Sequence, residues 1–350
     1  MNLVDLRSDT VTQPTPAMRA AMLATRLGDD VYGDDPSVNG LQEAVAVALG
    51  FEAGLFMPSG TQSNLCALLS HCQRGDEYLV GQFAHAYRWE GGGAAVLGSI
   101  QPQPLNHQAD GSLLLADIEA NIKPDDAHFA RTRLLALENT IGGKVLPLAY
   151  LAAASELARK HGLARHLDGA RLFNAAVAQA EHSGGDPMQA ARRIAGYFDS
   201  VSVCFSKGLG APVGSVLCGS RDFIQRAHRW RKMAGGGMRQ AGILAAAAHY
   251  ALDHQVDRLA DDHALAMQLA QGLQGLEGLT VEMPQTNIVF VDIDADLAGD
   301  RARGLLAHLK SRGVLVTGLY RLRFVTHLDV DANGIDRAIA AMREYFSIQD

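Results

Sequence analysis

The chain has 350 residues, 48% of them hydrophobic, and a formal net charge of −7, enough apolar material to bury one large core and a smaller one. A disordered chain is excluded, and without a long basic run extended nucleic-acid binding lacks its electrostatic basis. Small-molecule chemistry is favoured instead.

In chain order, residues 1 to about 40 read as an extended arm rich in turn formers, with a helix over 17–27 between Thr10-Val-Thr-Gln-Pro-Thr-Pro16 and Gly28-Asp-Asp-Val-Tyr-Gly-Asp-Asp-Pro36. From Leu41 onward, helical patterns alternate with strand-like runs at 53–57, 78–80, 95–97, 134–137, 163–167, 201–205 and 213–217. That alternation predicts an α/β fold with a mainly parallel sheet, in which ligands bind beyond the strands' carboxyl ends. Ser59-Gly-Thr-Gln-Ser-Asn64, Glu138-Asn-Thr140, Asp168 and Lys207 all fall at such ends.

An alanine-rich helical stretch over 241–252 leads to a helix over 257–275, a strand within 286–293 and a helix over 297–312. Strands at 314–317 and 322–326 and a last helix from about 334 complete a small α+β unit. We therefore expect 1–250 to hold the arm and the large domain, and 251–350 the small C-terminal domain.

Cys66, Cys72, Cys204 and Cys218 form no CxxC pair and no zinc-ligand spacing with histidine. Packing in a reduced compartment is expected of them, and no metal site. The first residues are charged, and no uninterrupted apolar run of about 18 residues follows. The expectation is a soluble, cytoplasmic protein without membrane contact.

Lys207 follows the apolar run Val201-Ser-Val-Cys-Phe205 and precedes Gly208-Leu-Gly210. A strand end in a closed cleft partly desolvates an amine, as a lysine reacting in its free form requires. Asp168, at another strand end in Ala164-Arg-His-Leu-Asp168-Gly-Ala-Arg171, is placed to hold the ring nitrogen of pyridoxal 5'-phosphate (PLP) protonated, which makes that ring an electron sink. Arg171 would face the cofactor's phenolate oxygen. Alone, Asp168 reads equally as a helix cap or an ion-pair partner of Arg171. Gly60 and Thr61 open a helix after a strand, where free backbone N–H groups suit a phosphate, although Ser-Gly-Thr is also an ordinary cap.

His85 sits at a strand-to-helix junction, where an imidazole stacks on a pyridine ring or exchanges protons; a hydrogen-bonded core histidine is the plain alternative. His128 carries the same ambiguity. The run Arg226-Ala-His-Arg-Trp-Arg-Lys232 reads as the solvated face of a helix. After it, Ala234-Gly-Gly-Gly-Met-Arg239 allows a close backbone approach, with Arg239 reaching a phosphate in a neighbouring subunit. Arg321 and Arg323 alternate on one strand face, and one of them suits a substrate carboxylate.

Together Asp5-Leu-Arg-Ser-Asp-Thr-Val-Thr12, the 28–36 segment, Ser59-Gly-Thr61, His166-Leu-Asp-Gly-Ala-Arg171, Ser206-Lys-Gly-Leu-Gly-Ala-Pro-Val-Gly214, Arg231-Lys-Met-Ala-Gly-Gly-Gly-Met-Arg-Gln240 and Val325-Thr-His-Leu-Asp329 resemble the low-specificity L-threonine aldolases. The likeness runs nearly end to end. It implies the aspartate-aminotransferase-like fold (fold type I) and a homotetramer, a dimer of dimers with active sites at the dimer interface. It also implies Lys207 as Schiff-base lysine, Asp168 and Arg171 as ring partners, and Gly60, Thr61 and Arg239 as phosphate ligands. Ser8 and Arg323 would hold the substrate carboxylate, His85 would stack on the ring, and His128 would lie near the substrate hydroxyl. Either histidine would serve as base. The segment Glu138-Asn-Thr-Ile141-Gly142-Gly-Lys144 departs from the family's usual Glu-Asn-Thr-His-Asn-Gly-Lys.

The implied reaction is retro-aldol cleavage of L-threonine, L-allo-threonine and related β-hydroxy-α-amino acids to glycine and an aldehyde. An aminotransferase or a β-eliminating lyase would share the lysine, aspartate and phosphate loop, and is separated by its products. A PLP-binding protein without turnover finds no appended basic region here, and a nicotinamide dehydrogenase finds no clear GxGxxG after a strand.

Overall fold

The computed structural model describes residues 3–294, 300–319 and 321–347. Its strands in chain order are β1 (Val4–Asp5), β2 (Ala53–Met57), β3 (Asp76–Gly81), β4 (Gln101–Leu105), β5 (Arg131–Glu138), β6 (Ala164–Gly169), β7 (Ser200–Cys204), β8 (Ser215–Gly219), β9 (Leu279–Glu282), β10 (Ile288–Ile293), β11 (Val314–Leu315) and β12 (Arg321–Val325). Seven form one sheet in the order β2-β8-β7-β6-β5-β3-β4. It is mainly parallel, as expected; only β8 runs against both its neighbours. β3 and β7 are buried throughout, and β5 and β6 over much of their carboxyl-terminal halves, as befits parallel strands covered on both faces.

One expected strand is absent. Residues 95–97 lie within the helix Gly93–Gly98, and the edge strand is β4, immediately after it. A three-residue apolar run cannot tell a helix from a strand. The true strand was concealed by Pro102 and Pro104, which are tolerated because β4 pairs on one side only, with β3.

A second body has its own core of Val4, Leu6, Leu269, Val289, Val291, Leu309, Phe324, Ile335 and Met342, among others. Its antiparallel sheet runs β12-β10-β9, and the helices Leu259–Leu273 and Ala332–Ser347 pack nearby. The start of the arm, placed with the large domain from sequence, pairs in parallel with β11 through Val4 and Val314. The arm thus ties the second body to the sheet that carries the site. The expected helix over 297–312 is Asp300–Ser311, its first residues lying outside the described ones.

The basic run 226–232 is corrected at one position. Arg231 is buried, donating to Asp30 at 2.8 Å and to the Phe56 carbonyl at 2.8 Å. It pins the arm to the end of β2, and a buried guanidinium is tolerated because both contacts are charge-assisted or to a strong acceptor. All four cysteines are buried free thiols. No helix among the described residues is long and apolar enough to cross a membrane.

Candidate active site

β2, β3, β5, β6 and β7 point the same way, so their carboxyl ends share one edge of the sheet. After β2, Ser59 caps the helix Gly60–His71 by accepting from the Gln62 N–H at 3.1 Å. The N–H groups of its first turn have no partner within the helix. At Gly60 the nearest atom to an added Cβ would be Ser215 Oγ at 3.7 Å. The residues thus form an open cradle with donors pointing out of the helix end, suited to an anion.

One turn on, Asn64 turns inward. Its Nδ2 donates to Asp168 Oδ2 at 2.7 Å and to Glu90 Oε1 at 2.9 Å. The other Asp168 oxygen accepts from the Ala170 N–H at 3.0 Å. Asp168 is thereby held from two sides at the end of β6. Gly169 follows because a Cβ there would lie 2.8 Å from the Ser202 carbonyl oxygen.

His85 starts a short helix after β3. Its N–H donates to Glu138 Oε2 at 2.7 Å, and its Nδ1 lies 2.8 Å from Glu90 Oε1. The Glu90 hydrogen bond pushes the His85 imidazole above its ordinary range, against burial. Burial and the neighbouring Asp168 raise the Glu138 and Glu90 carboxyls. His85, Glu90 and Asp168 bring ligand atoms within 4.8 Å of one another. The Asn64 amide between the two carboxylates accounts for that closeness.

Lys207 lies in the turn after β7, closed by the Gly210 N–H donating to the Lys207 carbonyl at 2.8 Å. Gly210 takes a left-handed φ of 77°, which glycine adopts freely. At Gly208, an added Cβ would come 2.9 Å from Leu259. Burial alone would push the Lys207 amine down; Cys204, Asp168 and Asp9 outweigh burial and Arg171, and the net shift is upward.

Arg171, directly after β6, donates through Nε and Nη2 to the two oxygens of Asp9 at 2.8 and 2.6 Å. Asp9 is fully buried and also accepts from Asn287 at 3.3 Å. Despite burial, Arg171 holds the Asp9 carboxyl well below the usual carboxylate range. Burial and Arg171 push the Arg323 guanidinium down to about 10, with Asp9 opposing; its Nη1 donates to the Arg7 carbonyl at 3.3 Å. Ser8, next to Asp9, caps the turn Asp9–Val11. Arg321 instead reaches Glu282 and the Phe290 ring, on the exposed side.

Two expected site residues are not gathered here. His128 is exposed in a turn with its Nδ1 on Asp126 at 2.6 Å, and Arg239 is half-exposed and paired with Asp29 at 3.1 Å. Gly236, one of the glycines before Arg239, makes room for Gln62, whose Nε2 donates to the Ala234 carbonyl at 3.0 Å. In the departing segment, Ile141 and Lys144 exchange backbone hydrogen bonds of 3.0 Å around Gly142 and Gly143, both at positive φ. Such a two-residue hairpin turn demands glycine-like residues at both central positions. Ile141 itself is buried against Gly111.

Asp9, Asn64, Glu90 and Asn287 went unassigned from sequence. Asp9 and Asn64 lie inside quoted motifs, and their signal was the presence of a polar side chain in a segment otherwise explained by capping.

The model of the beta-eliminating lyase family matches residues 5–296. The chain is 53% identical over 345 residues to the low specificity L-threonine aldolase of Escherichia coli strain K12, covering 99% of this chain and 100% of that one. The chain belongs to the low-specificity L-threonine aldolases. The low-specificity L-threonine aldolase 1 of Arabidopsis thaliana is 41% identical, with 98% of this chain and 96% of that one covered. Among solved structures, a threonine aldolase from Leishmania major superposes with a TM-score of 0.82 at 21% identity, covering 98% and 99% of the chains, a likeness of fold. The aldolase chain thus has the fold type I architecture, in a family of PLP enzymes.

A stability consequence follows from three buried imidazoles. Burial pushes His71, His166 and His263 down to about 4, 3 and 4, from 6.5. Their folded values lie below the unfolded ones, so between those limits the unfolded chain binds more protons and stability falls as pH drops. By pH 5 each is expected to cost on the order of 1–2 kcal/mol. The urea midpoint should therefore fall clearly between about pH 7.5 and 5; an unchanged midpoint contradicts the assignment.

Proposed function

We propose that the chain is a PLP-dependent aldehyde-lyase that cleaves L-threonine, L-allo-threonine and related β-hydroxy-α-amino acids to glycine and an aldehyde. The observation that carries this is the meeting of Lys207, Asp168 and Arg171 at one sheet edge, in a chain so close to the aldolases. The donor set fits the cofactor: an anion cradle at Gly60 and Thr61, a carboxylate at Asp168 for the ring nitrogen, a cation at Arg171 for the phenolate oxygen and an amine at Lys207 for the aldehyde carbon. Arg171 spends Nε and Nη2 on Asp9, which leaves Nη1 for the cofactor. When bound, PLP supplies the sink for the electron pair released as the Cα–Cβ bond breaks.

The remaining work belongs to the chain. Ser8 and Arg323 bind the substrate carboxylate and so orient the bond to be cleaved. His85 covers the ring; with Nδ1 committed to Glu90, its Nε2 remains for the β-hydroxyl proton, and His128 is the other candidate base. Incubating the purified protein with L-threonine and L-allo-threonine separately, while trapping acetaldehyde and assaying glycine, tests the reading. A keto acid, with or without ammonia, would place the chain among aminotransferases or β-eliminating lyases.

We further propose a cytoplasmic homotetramer, a dimer of dimers in which Arg239 and His128 serve a neighbouring subunit. Their exposure in one chain supports that role. Mixing Lys207→Ala and Arg239→Ala subunits under exchange is expected to restore about a quarter of full activity, because each mixed dimer regains one intact site. No recovery would mean that Arg239 acts in its own chain.

A further inference from the structure

Asp168 sits at the inner end of a chain of side chains that crosses the sheet's underside to the far end of the helix Gly60–His71. Asn64 Nδ2 donates to Asp168 at 2.7 Å, and Asn64 Oδ1 lies 3.2 Å from His166 Nε2. His166 Nδ1 is 2.8 Å from Ser200 Oγ, and Ser200 Oγ is 2.7 Å from His71 Nε2. His166, Ser200 and Asn64 are buried. The His71 ring is further fixed by stacking on Phe223, with centroids 4.5 Å apart and planes at 30°.

The direction of every hydrogen bond follows from donor and acceptor chemistry. Asn64 Nδ2 faces two carboxylates, which accept only, so the orientation of the amide is settled and Oδ1 must be the atom facing His166. His166 must then donate from Nε2. Burial keeps His166 and His71 neutral at working pH, so His166 Nδ1 carries no proton and accepts from the Ser200 hydroxyl. Ser200 Oγ in turn accepts from His71 Nε2. All four bonds run one way, each with its acceptor on the side of Asp168, and aligned hydrogen bonds of this kind strengthen one another.

We infer that His166, Ser200 and His71 are positioning residues for the aldol cleavage, acting through Asn64 as a one-way relay that fixes the Asp168 carboxylate where the cofactor's ring nitrogen binds. This rests on the reading of Asp168 as the ring-nitrogen partner. None of the three touches substrate, so the relay acts on the chemical step and not on substrate binding. The helix Gly60–His71 serves the cofactor twice, offering its first turn to the phosphate and its Asn64 to Asp168.

The test uses the PLP-loaded enzyme labelled with 15N-histidine, whose long-range proton–nitrogen spectra report each imidazole tautomer. Assigned by comparison with single histidine variants, His166 and His71 are both expected as neutral rings protonated at Nε2. Ser200→Ala, which removes one oxygen, is expected to lower kcat for L-threonine by about tenfold, the usual order for groups that orient a first contact, with KM unchanged. His166→Gln, which keeps an amide donor for Asn64, should retain more of kcat than His166→Leu. A His166 ring protonated at Nδ1, or Ser200→Ala with wild-type kcat, overturns the relay. Asp168→Asn separates the two readings: if that variant keeps PLP and full kcat, the assignment of Asp168 fails while the tautomers still report whether the relay exists.

Discussion

Lys207→Ala is expected to lose threonine cleavage by at least about a thousandfold, the scale on which removal of a covalent catalytic group is felt. Lys207 ends the stretch that follows β7 and is half-buried beside Asp168, Asp9 and Arg171. Its charge also reaches the buried Asp9 carboxylate. The turn that carries it is held by its own backbone and by glycines at 208 and 210, so truncating the side chain leaves the fold intact. Two measurements check this. Borohydride treatment of the PLP-loaded wild type should fix the cofactor's mass to the peptide containing residue 207, and that adduct should vanish in the variant. Acetaldehyde release should fall with it. A variant that binds PLP and keeps most of its turnover removes the lysine from the mechanism.

Asp9→Ala should be the most destabilising single change near the site. The carboxylate is fully buried and accepts from Nε and Nη2 of Arg171, with Lys207 and Arg323 also within its electrostatic reach. Removing it leaves the buried Arg171 guanidinium without its ion-pair partner and close to two further cations. Breaking a buried ion pair from one side costs on the order of 3–5 kcal/mol, enough to halve the stability of a typical domain. The sign of the pH effect is equally defined. The folded Asp9 carboxyl lies below its unfolded value of 3.8, so its contribution is complete above about pH 4 and is lost as the solution becomes more acid. The difference between wild type and Asp9→Ala in urea midpoint should therefore be constant near neutrality and shrink below pH 4. A variant as stable as the wild type at pH 7 would contradict the geometry. Asp9→Asn, which keeps the shape and one acceptor, should fall between the two.

Much of this site is legible in the sequence because its members follow short apolar runs directly. Asp168, Lys207 and Gly60 each stand where a buried strand ends, and a parallel sheet gathers such ends at one edge. The edge strand β4 was not legible, because its two prolines are acceptable only on a strand with one neighbour. Arg231 was misplaced for a related reason: a basic run on a helix looks solvated until Asp30 and the end of β2 are brought against it. His128 and Arg239 stand in recognisable segments, yet the single chain leaves both on its surface.

The sequence alone determined the alternation that marks the large sheet, the lysine and aspartate at the strand ends, and the family that those motifs identify. Those features are local: a polar residue after an apolar run, or a glycine where a turn must tighten. The tertiary structure decided that Asp9 neutralises Arg171 from 162 positions away and that Asn64 spans Glu90 and Asp168. It also decided that two histidines and a serine line up behind that carboxylate. Such pairings depend on which strands become neighbours and which faces turn inward, and periodicity carries no record of the partner across a sheet.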